Sequence, residues 1–249
     1  MELAIITGTS KGLGEAVATL FIENGIHVIG IARNANVRLQ QLAVQHDVSY
    51  THLTCDLGEG EQLKQAVAAI REEVKHMDLN TIFLINNAAV VGPVNQAMYV
   101  EHERLSNHVH VNLVAPMSLT NACLELATTQ GIPLYASIVT SGAAERPVYG
   151  WSAYCSTKAA VNMFVQTVGL EQAEQDSHHR VIAFNPGIMD TEMQVTIRDS
   201  SSEEFIDIEK FKNYKKQNLL QDPLTVADAL FNVMKNRSML ENGKIYAAK

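Results

Sequence analysis

The chain has 249 residues, room for one large α/β domain or two small ones and ample to bury a core. Apolar residues make up 47% and charged residues 18%, and the formal net charge of −8 comes with no long basic run, which argues against nucleic acid as a partner. The start, MELAIITGTS, has neither a basic n-region nor a cleavable apolar stretch, no apolar run approaches the roughly 20 residues that span a bilayer, and Cys55, Cys123 and Cys155 form no C-x-x-C, so a reduced cytoplasmic protein off the membrane is expected.

Leu3–Thr7 reads as a first strand, followed by a helix over Leu13–Asn24. Gly8, Gly12 and Gly14 lie between strand and helix as G-x-x-x-G-x-G. The chain there turns without Cβ obstruction and opens a helix whose free N–H groups and dipole suit a phosphate. Gly14 would let that helix pack close to the sheet. Three glycines alone fit a plain tight turn; after the first strand of an alternating chain they favour a dinucleotide site. The second strand, His27–Ala32, ends in GIARNAN. NAD sites usually carry an acid near here for the ribose 2′-hydroxyl. Instead Arg33 stands nineteen residues past Gly14, with no acid near in sequence, and Lys11 lies inside the glycine turn. Two cations suit a 2′-phosphate, so NADP(H) is expected; the competing reading leaves both facing solvent. A helix over Val37–His46 and a strand over Ser49–Thr54 follow, then Asp56, placed either to accept from an adenine amino group or to cap the next helix, Glu61–His76. The strand Thr81–Ile85 runs into Asn86, Asn87, Ala88 and Ala89, small enough for backbone to approach a cofactor, or an ordinary asparagine turn.

A helix is predicted over Glu103–Thr128, with Asn112 four residues before Pro116. Proline has no N–H, so the Asn112 carbonyl is left free for another donor, and a water linking it to Lys158 would complete a proton relay. The strand Leu134–Thr140 leads to Ser141, Tyr154 stands thirteen residues further on, and Lys158 lies one turn beyond on the same face of a helix over Ala153–Asp176. A carbonyl accepting hydride develops charge on oxygen and needs a proton. Tyr154 would donate it, the Lys158 charge would lower a phenol pKa of about 10, and Ser141 would hydrogen-bond the oxygen. A Y-x-x-x-K pair alone is commonly a surface pair; the serine and the glycine turn change that weighting. A strand over Arg180–Phe184 ends at Pro186-Gly187, where the Ile188 backbone and Thr191 hydroxyl would hold a carboxamide and Asp190 would cap the next turn.

The stretch Met189 to Gln221 is polar, and its length suggests a flap over a site, or a solvated excursion; Ser201 and Glu204 would cap a short helix in it. A helix over Pro223–Lys235 and a strand over Lys244–Ala247 complete the chain. Strand–helix–strand repetition implies parallel pairing, right-handed crossovers and helices on both faces of one sheet, in a single domain. Apolar residues flanking the catalytic positions, Val90, Val91, Ala143, Tyr149, Trp151, Met189 and Met193, are substrate-pocket candidates, each equally readable as packing. His108 and His110 face different sides of a helix and His178 and His179 lie near a helix end, so no metal site is expected and all four read as solvated. Val161, Phe164, Val165 and Val168 form a stripe, either intersubunit or internal.

Gly8-x-x-x-Gly12-x-Gly14, Asn86-Asn87-Ala88, Asn112, Ser141, Tyr154-x-x-x-Lys158 and Pro186-Gly187 together resemble the short-chain dehydrogenase/reductase family over nearly the full length. GWSAYCSTKAAVNMF and FNPGIMDTEMQ are similar to its sepiapterin-reductase branch, most of all to the (S)-benzoin-forming benzil reductases of bacteria. The resemblance implies a doubly wound, seven-stranded parallel Rossmann sheet and NADPH-dependent reduction of one carbonyl of a 1,2-diketone. It also implies that Lys158 bonds the nicotinamide ribose, that Ser10, Leu13, Asn34 and Leu57 join the cofactor cleft, and that the chain forms a homodimer or homotetramer. Ala89 stands where the family usually has glycine, and the C-terminal GKIYAAK lacks the acid that anchors a pterin, which favours an apolar diketone over sepiapterin. A cofactor-binding regulator without catalysis is the competing class; the intact Ser141, Tyr154 and Lys158 argue against it.

Overall fold

A computed structural model describes residues 1–248. Seven strands, β1 (Glu2–Thr7), β2 (His27–Ala32), β3 (Tyr50–Thr54), β4 (Thr81–Asn86), β5 (Leu134–Val139), β6 (Arg180–Asn185) and β7 (Ile245–Ala247), form one sheet in the order β3-β2-β1-β4-β5-β6-β7. Every neighbouring pair is parallel. The helices are α1 (Gly12–Glu23), α2 (Val37–Gln45), α3 (Gly60–Lys75), α4 (His102–Val109), α5 (Ala115–Gln130), α6 (Ser152–Glu174), α7 (Glu192–Arg198), α8 (Ile208–Lys216) and α9 (Pro223–Lys235).

The central strands are apolar at successive positions because both faces of the sheet are covered. In β1, Leu3 and Ile5 point into a core with Ile70 of α3, Leu119 of α5 and Val161, Val165 and Val168 of α6. Ala4 and Ile6 point the other way, against Phe21 of α1, Leu39 of α2 and Leu230 of α9. The valine stripe of α6, with Phe164 packed beside it, is therefore internal to the chain rather than an intersubunit face.

Two predicted elements differ. The helix expected over Glu103–Thr128 is α4, a π-helical segment His110–Val114, and α5. Pro116 lies in the first turn of α5 and has no N–H to give; the backbone just before it widens, and the Ala115 N–H bonds the His110 carbonyl five residues back. Between Met189 and Gln221 the chain builds α7 and α8 rather than a solvated excursion. The Gln221 N–H donates to the Ile188 carbonyl and the Asp190 N–H to the Gln221 carbonyl, each at 2.9 Å, closing the ends of the segment. Phe205, Ile197 and Ile208 bury themselves against Trp151 and Tyr154. The Ser201 N–H donates to the Glu204 carboxylate at 2.8 Å and the Glu204 N–H to Ser201 Oγ at 3.2 Å, but this reciprocal pair closes a single turn, and α8 begins only at Ile208. Among the described residues no helix is long and apolar enough to cross a membrane.

Candidate active site

Successive strands run outward from β1 to β3, and the chain then crosses back to β4. At the carboxyl ends of the strands on either side of this reversal, where such sheets bind ligands, lies a cavity of about 1030 Å³. Its wall brings together Gly8, Ser10, Lys11, Gly12 and Leu13 from the first turn, Arg33 and Asn34 after β2, and Asp56 and Leu57 after β3. Asn87 and Ala88 after β4, Ser141 after β5, and Trp151, Tyr154 and Lys158 at the start of α6 continue it, with Pro186, Gly187, Ile188, Met189, Thr191 and Met193 closing it from β6 and α7.

The glycine turn is shaped for a close ligand. Gly8 sits at φ +78°, and an added Cβ would lie 2.7 Å from Asn87 Nδ2. A Cβ on Gly14 would run into the Gly8 carbonyl, so only glycine lets α1 approach β1 this closely; Gly14 acts through packing and does not line the cavity. Lys11 stands at the N-cap of α1 with extended backbone and no side-chain bond to the first turn, which leaves the first-turn N–H groups open to an anion. Opposite, the Thr7 hydroxyl accepts from the Asn87 and Ala88 N–H groups at 2.9 and 3.0 Å, pinning the end of β4 over the turn. Ala89 stays outside the left-handed region, so alanine fits where glycine is usual. This cradle fits the pyrophosphate of a dinucleotide.

Both cations expected at the 2′-position line the cavity, and each already has an acidic neighbour. Lys11 pairs with Glu192 of α7. Arg33 lies 3.9 Å from Asp56: no acid is near in sequence, but β2 and β3 run in register, Ala32 beside Thr54, and deliver one from the end of the next strand. Asp56 Oδ1 accepts from the Gly58 N–H at 2.9 Å, so it closes a turn rather than capping α3, whose N-cap is Glu59. Asp190 caps nothing; it pairs with Lys215 of α8 at 2.5 Å. Thr191 caps α7 without a side-chain bond, leaving its hydroxyl free.

Tyr154 and Lys158 are buried in the same wall, one turn apart, with the ammonium 5.7 Å from the centre of the phenol ring. The Lys158 ammonium donates to the Val139 carbonyl at 2.8 Å, at the end of β5. Burial pulls its pKa down to about 8. Burial also pushes the Tyr154 phenol up to about 12, with the Ser141 hydroxyl pulling the other way. Desolvation thus outweighs the lowering expected from Lys158, whose ammonium donates to a backbone carbonyl.

The structure gives Asn112 a side-chain contact that the sequence did not suggest, and corrects two other readings. Asn112 does not line the cavity; its amide lies behind the wall and grips the backbone of Val90. Tyr149 is exposed and lies outside the cavity, whereas Trp151, just past Gly150 at φ +81°, is buried in its wall. His108 and His179 are buried rather than solvated: His179 accepts from the Leu134 N–H at 3.1 Å, a structural bond that no helix dipole explains. Among the described residues no group of three or more His, Cys, Asp or Glu could hold a metal. Sequence reasoning missed the aromatic cover from the flap, Phe205 stacked on Trp151 at 4.9 Å and Phe211 edge-on to it at 5.5 Å. Their signal was present: Phe205, Ile208 and Phe211 recur every third residue in an otherwise polar stretch.

A benzil reductase ((S)-benzoin forming) from Bacillus cereus is 38% identical over 234 residues, 94% of each chain. A sepiapterin reductase from Meriones unguiculatus is 28% identical over 242 residues, 93% of this chain and 90% of that one. The crystal structure of a short-chain dehydrogenase/reductase from Saccharomyces cerevisiae shares the fold at a TM-score of 0.82 and 24% identity, covering 100% of this chain and 96% of that one. The short chain dehydrogenase family pattern matches residues 2–202. The chain belongs to the short-chain dehydrogenase family, whose enzymes use a nicotinamide dinucleotide, and is an oxidoreductase acting on carbonyl and alcohol groups.

Proposed function

We propose that the protein reduces one carbonyl of a 1,2-diketone such as benzil to the (S)-α-hydroxy ketone, with NADPH. The observation that carries this reading is the meeting of Ser141, Tyr154 and Lys158 in one cavity with the glycine cradle. Bound NADPH supplies the hydride. The buried phenol of Tyr154 keeps its proton at neutral pH and gives it to the carbonyl oxygen, Ser141 donates a hydrogen bond to that oxygen, and the Lys158 charge stabilises the phenolate left behind. Val90, Val91, Ala143, Trp151, Met189 and Met193 give the substrate end an apolar lining, which suits phenyl groups. The flap carrying α7 and α8 belongs to the single domain as its substrate cover.

For the cofactor, the ion pairs of Lys11 and Arg33 are exposed and worth about 1 kcal/mol or less each, so a dianionic 2′-phosphate competes well for both cations. The free thiols of Cys55, Cys123 and Cys155 support a reducing, cytoplasmic setting, and a homodimer or homotetramer is the assembly proposed. The test is initial rates with benzil and with sepiapterin, each with NADPH and NADH, and chiral analysis of the product. NADPH-dependent formation of (S)-benzoin is expected, lost by about 100-fold or more in Tyr154→Phe; undiminished oxidation of NADPH by benzil in that variant would refute the catalytic assignment.

A further inference from the structure

His108 is fully enclosed, and its partners fix its chemistry. Asn112 is oriented by Val90: its Oδ1 accepts from the Val90 N–H and its Nδ2 donates to the Val90 carbonyl, both at 2.8 Å. The same Nδ2 has a second hydrogen, which faces His108 Nε2 at 3.0 Å. Nε2 must therefore accept, which places the ring proton on Nδ1, and Nδ1 donates to the Gly92 carbonyl at 2.5 Å. The Thr157 hydroxyl lies 3.0 Å from Nε2 and 2.9 Å from the Ala153 carbonyl; with Nε2 bare its one proton turns to the ring, and the ring stands edge-on to Tyr154 with centroids 6.2 Å apart.

One side chain thus joins three parts of the site. Gly92 continues the Val90–Val91 wall of the cavity, Asn112 lies in the π-helical segment, and Thr157 lies on α6 between Tyr154 and Lys158. Asn112 is four residues from His108, so their bond spans the junction where α4 gives way to the π-helical turn. We propose that His108, held as its Nδ1–H tautomer between the Gly92 carbonyl and the Asn112 amide, is a positioning residue that sets the Val90–Gly92 wall and the π-helical segment against the Tyr154–Lys158 pair. Burial holds its pKa below the ordinary imidazole value, against the upward pull of the Gly92 carbonyl, so the ring is neutral at pH 7 as the hydrogen bonds require. The kinetic consequence rests on the reductase reading above; the tautomer does not.

Two measurements test it. In long-range ¹H–¹⁵N spectra of histidine-labelled protein, the signal lost in His108→Gln is expected to show a protonated Nδ1 and a bare Nε2; an Nε2–H or doubly protonated pattern overturns the proposal whatever the enzyme reduces. In the kinetic arm, His108→Gln keeps an acceptor near the Nε2 position, His108→Asn keeps only a donor near Nδ1, and His108→Leu keeps neither. With benzil and saturating NADPH, His108→Leu and His108→Asn are expected to lower kcat about tenfold or more and to raise KM, while His108→Gln recovers most of the loss in kcat. Equal kcat in all three variants, or losses that follow the thermal midpoint with no recovery by glutamine, overturns the positioning role. An active parent enzyme that Tyr154→Phe silences separates that outcome from failure of the reductase reading.

Discussion

Burial moves the two central pKa values in opposite senses, the Tyr154 phenol up to about 12 and the Lys158 ammonium down to about 8. The phenol is thereby a proton reservoir at neutral pH, while the charge that stabilises its conjugate base disappears in mildly alkaline solution. The kcat/KM for NADPH is expected to fall as pH rises through about 8, because its pH profile reports groups of the free enzyme. The same shift is a statement about stability. Lys158 binds its proton less tightly folded than unfolded, so its destabilising effect is full below about 8 and is relieved as pH rises towards the unfolded value of 10.5. Lys158→Met should therefore stabilise the fold at pH 7 by about 1–3 kcal/mol while reducing benzil turnover about 100-fold or more, measured by urea unfolding beside steady-state rates. Residue identity and spacing made Ser141, Tyr154 and Lys158 legible in the chain. The direction of the tyrosine shift was not, because desolvation depends on what covers the ring.

At the scale of elements, the departure from expectation is the π-helical segment His110–Val114. A period of 3.6 runs through Glu103–Thr128, and proline marked an irregularity, but sequence alone does not say how the backbone absorbs it. Widening the turn sends the Asn112 amide to the Val90 backbone, behind the cavity wall. Pro116→Ala restores an N–H one turn after Asn112 and should draw the segment back towards α-helix. A fall in kcat of about tenfold is expected; unchanged turnover and an unchanged pH profile would count against any part of this segment in catalysis. The glycine turn, by contrast, was readable in advance. Its requirements are local: a left-handed Gly8, and a Gly14 with no room for Cβ beside the Gly8 carbonyl.

For the molecule as a whole, the sheet and the flap differ in how they are held. The sheet has an apolar core on each face, whereas the flap rests on the cluster around Trp151 and on backbone bonds at Ile188, Asp190 and Gln221. Phe205 is wholly buried there and stacks on Trp151 with planes 15° apart. Phe205→Ala removes about 3–5 kcal/mol of that attachment. The loss is expected to appear as faster hydrogen exchange in α7 and α8 and a higher KM for benzil, with exchange in the sheet little changed; uniform acceleration across the sheet would show that flap and sheet unfold as one unit.

The sequence by itself determined the alternating order of elements, the phosphate-ready turn and the serine, tyrosine and lysine of the site. Each is carried by periodicity, by backbone conformations that only glycine meets, or by spacing along one strand and one helix. Tertiary structure decided what depends on neighbours distant in the chain. Asp56 reaches Arg33 from an adjacent strand, Phe205 covers Trp151 across more than fifty residues, and His108 is buried against Gly92, Asn112 and Thr157 instead of facing water. Burial and partnership are properties of packing, and the same residues placed in another fold would have other pKa values, other tautomers and other roles.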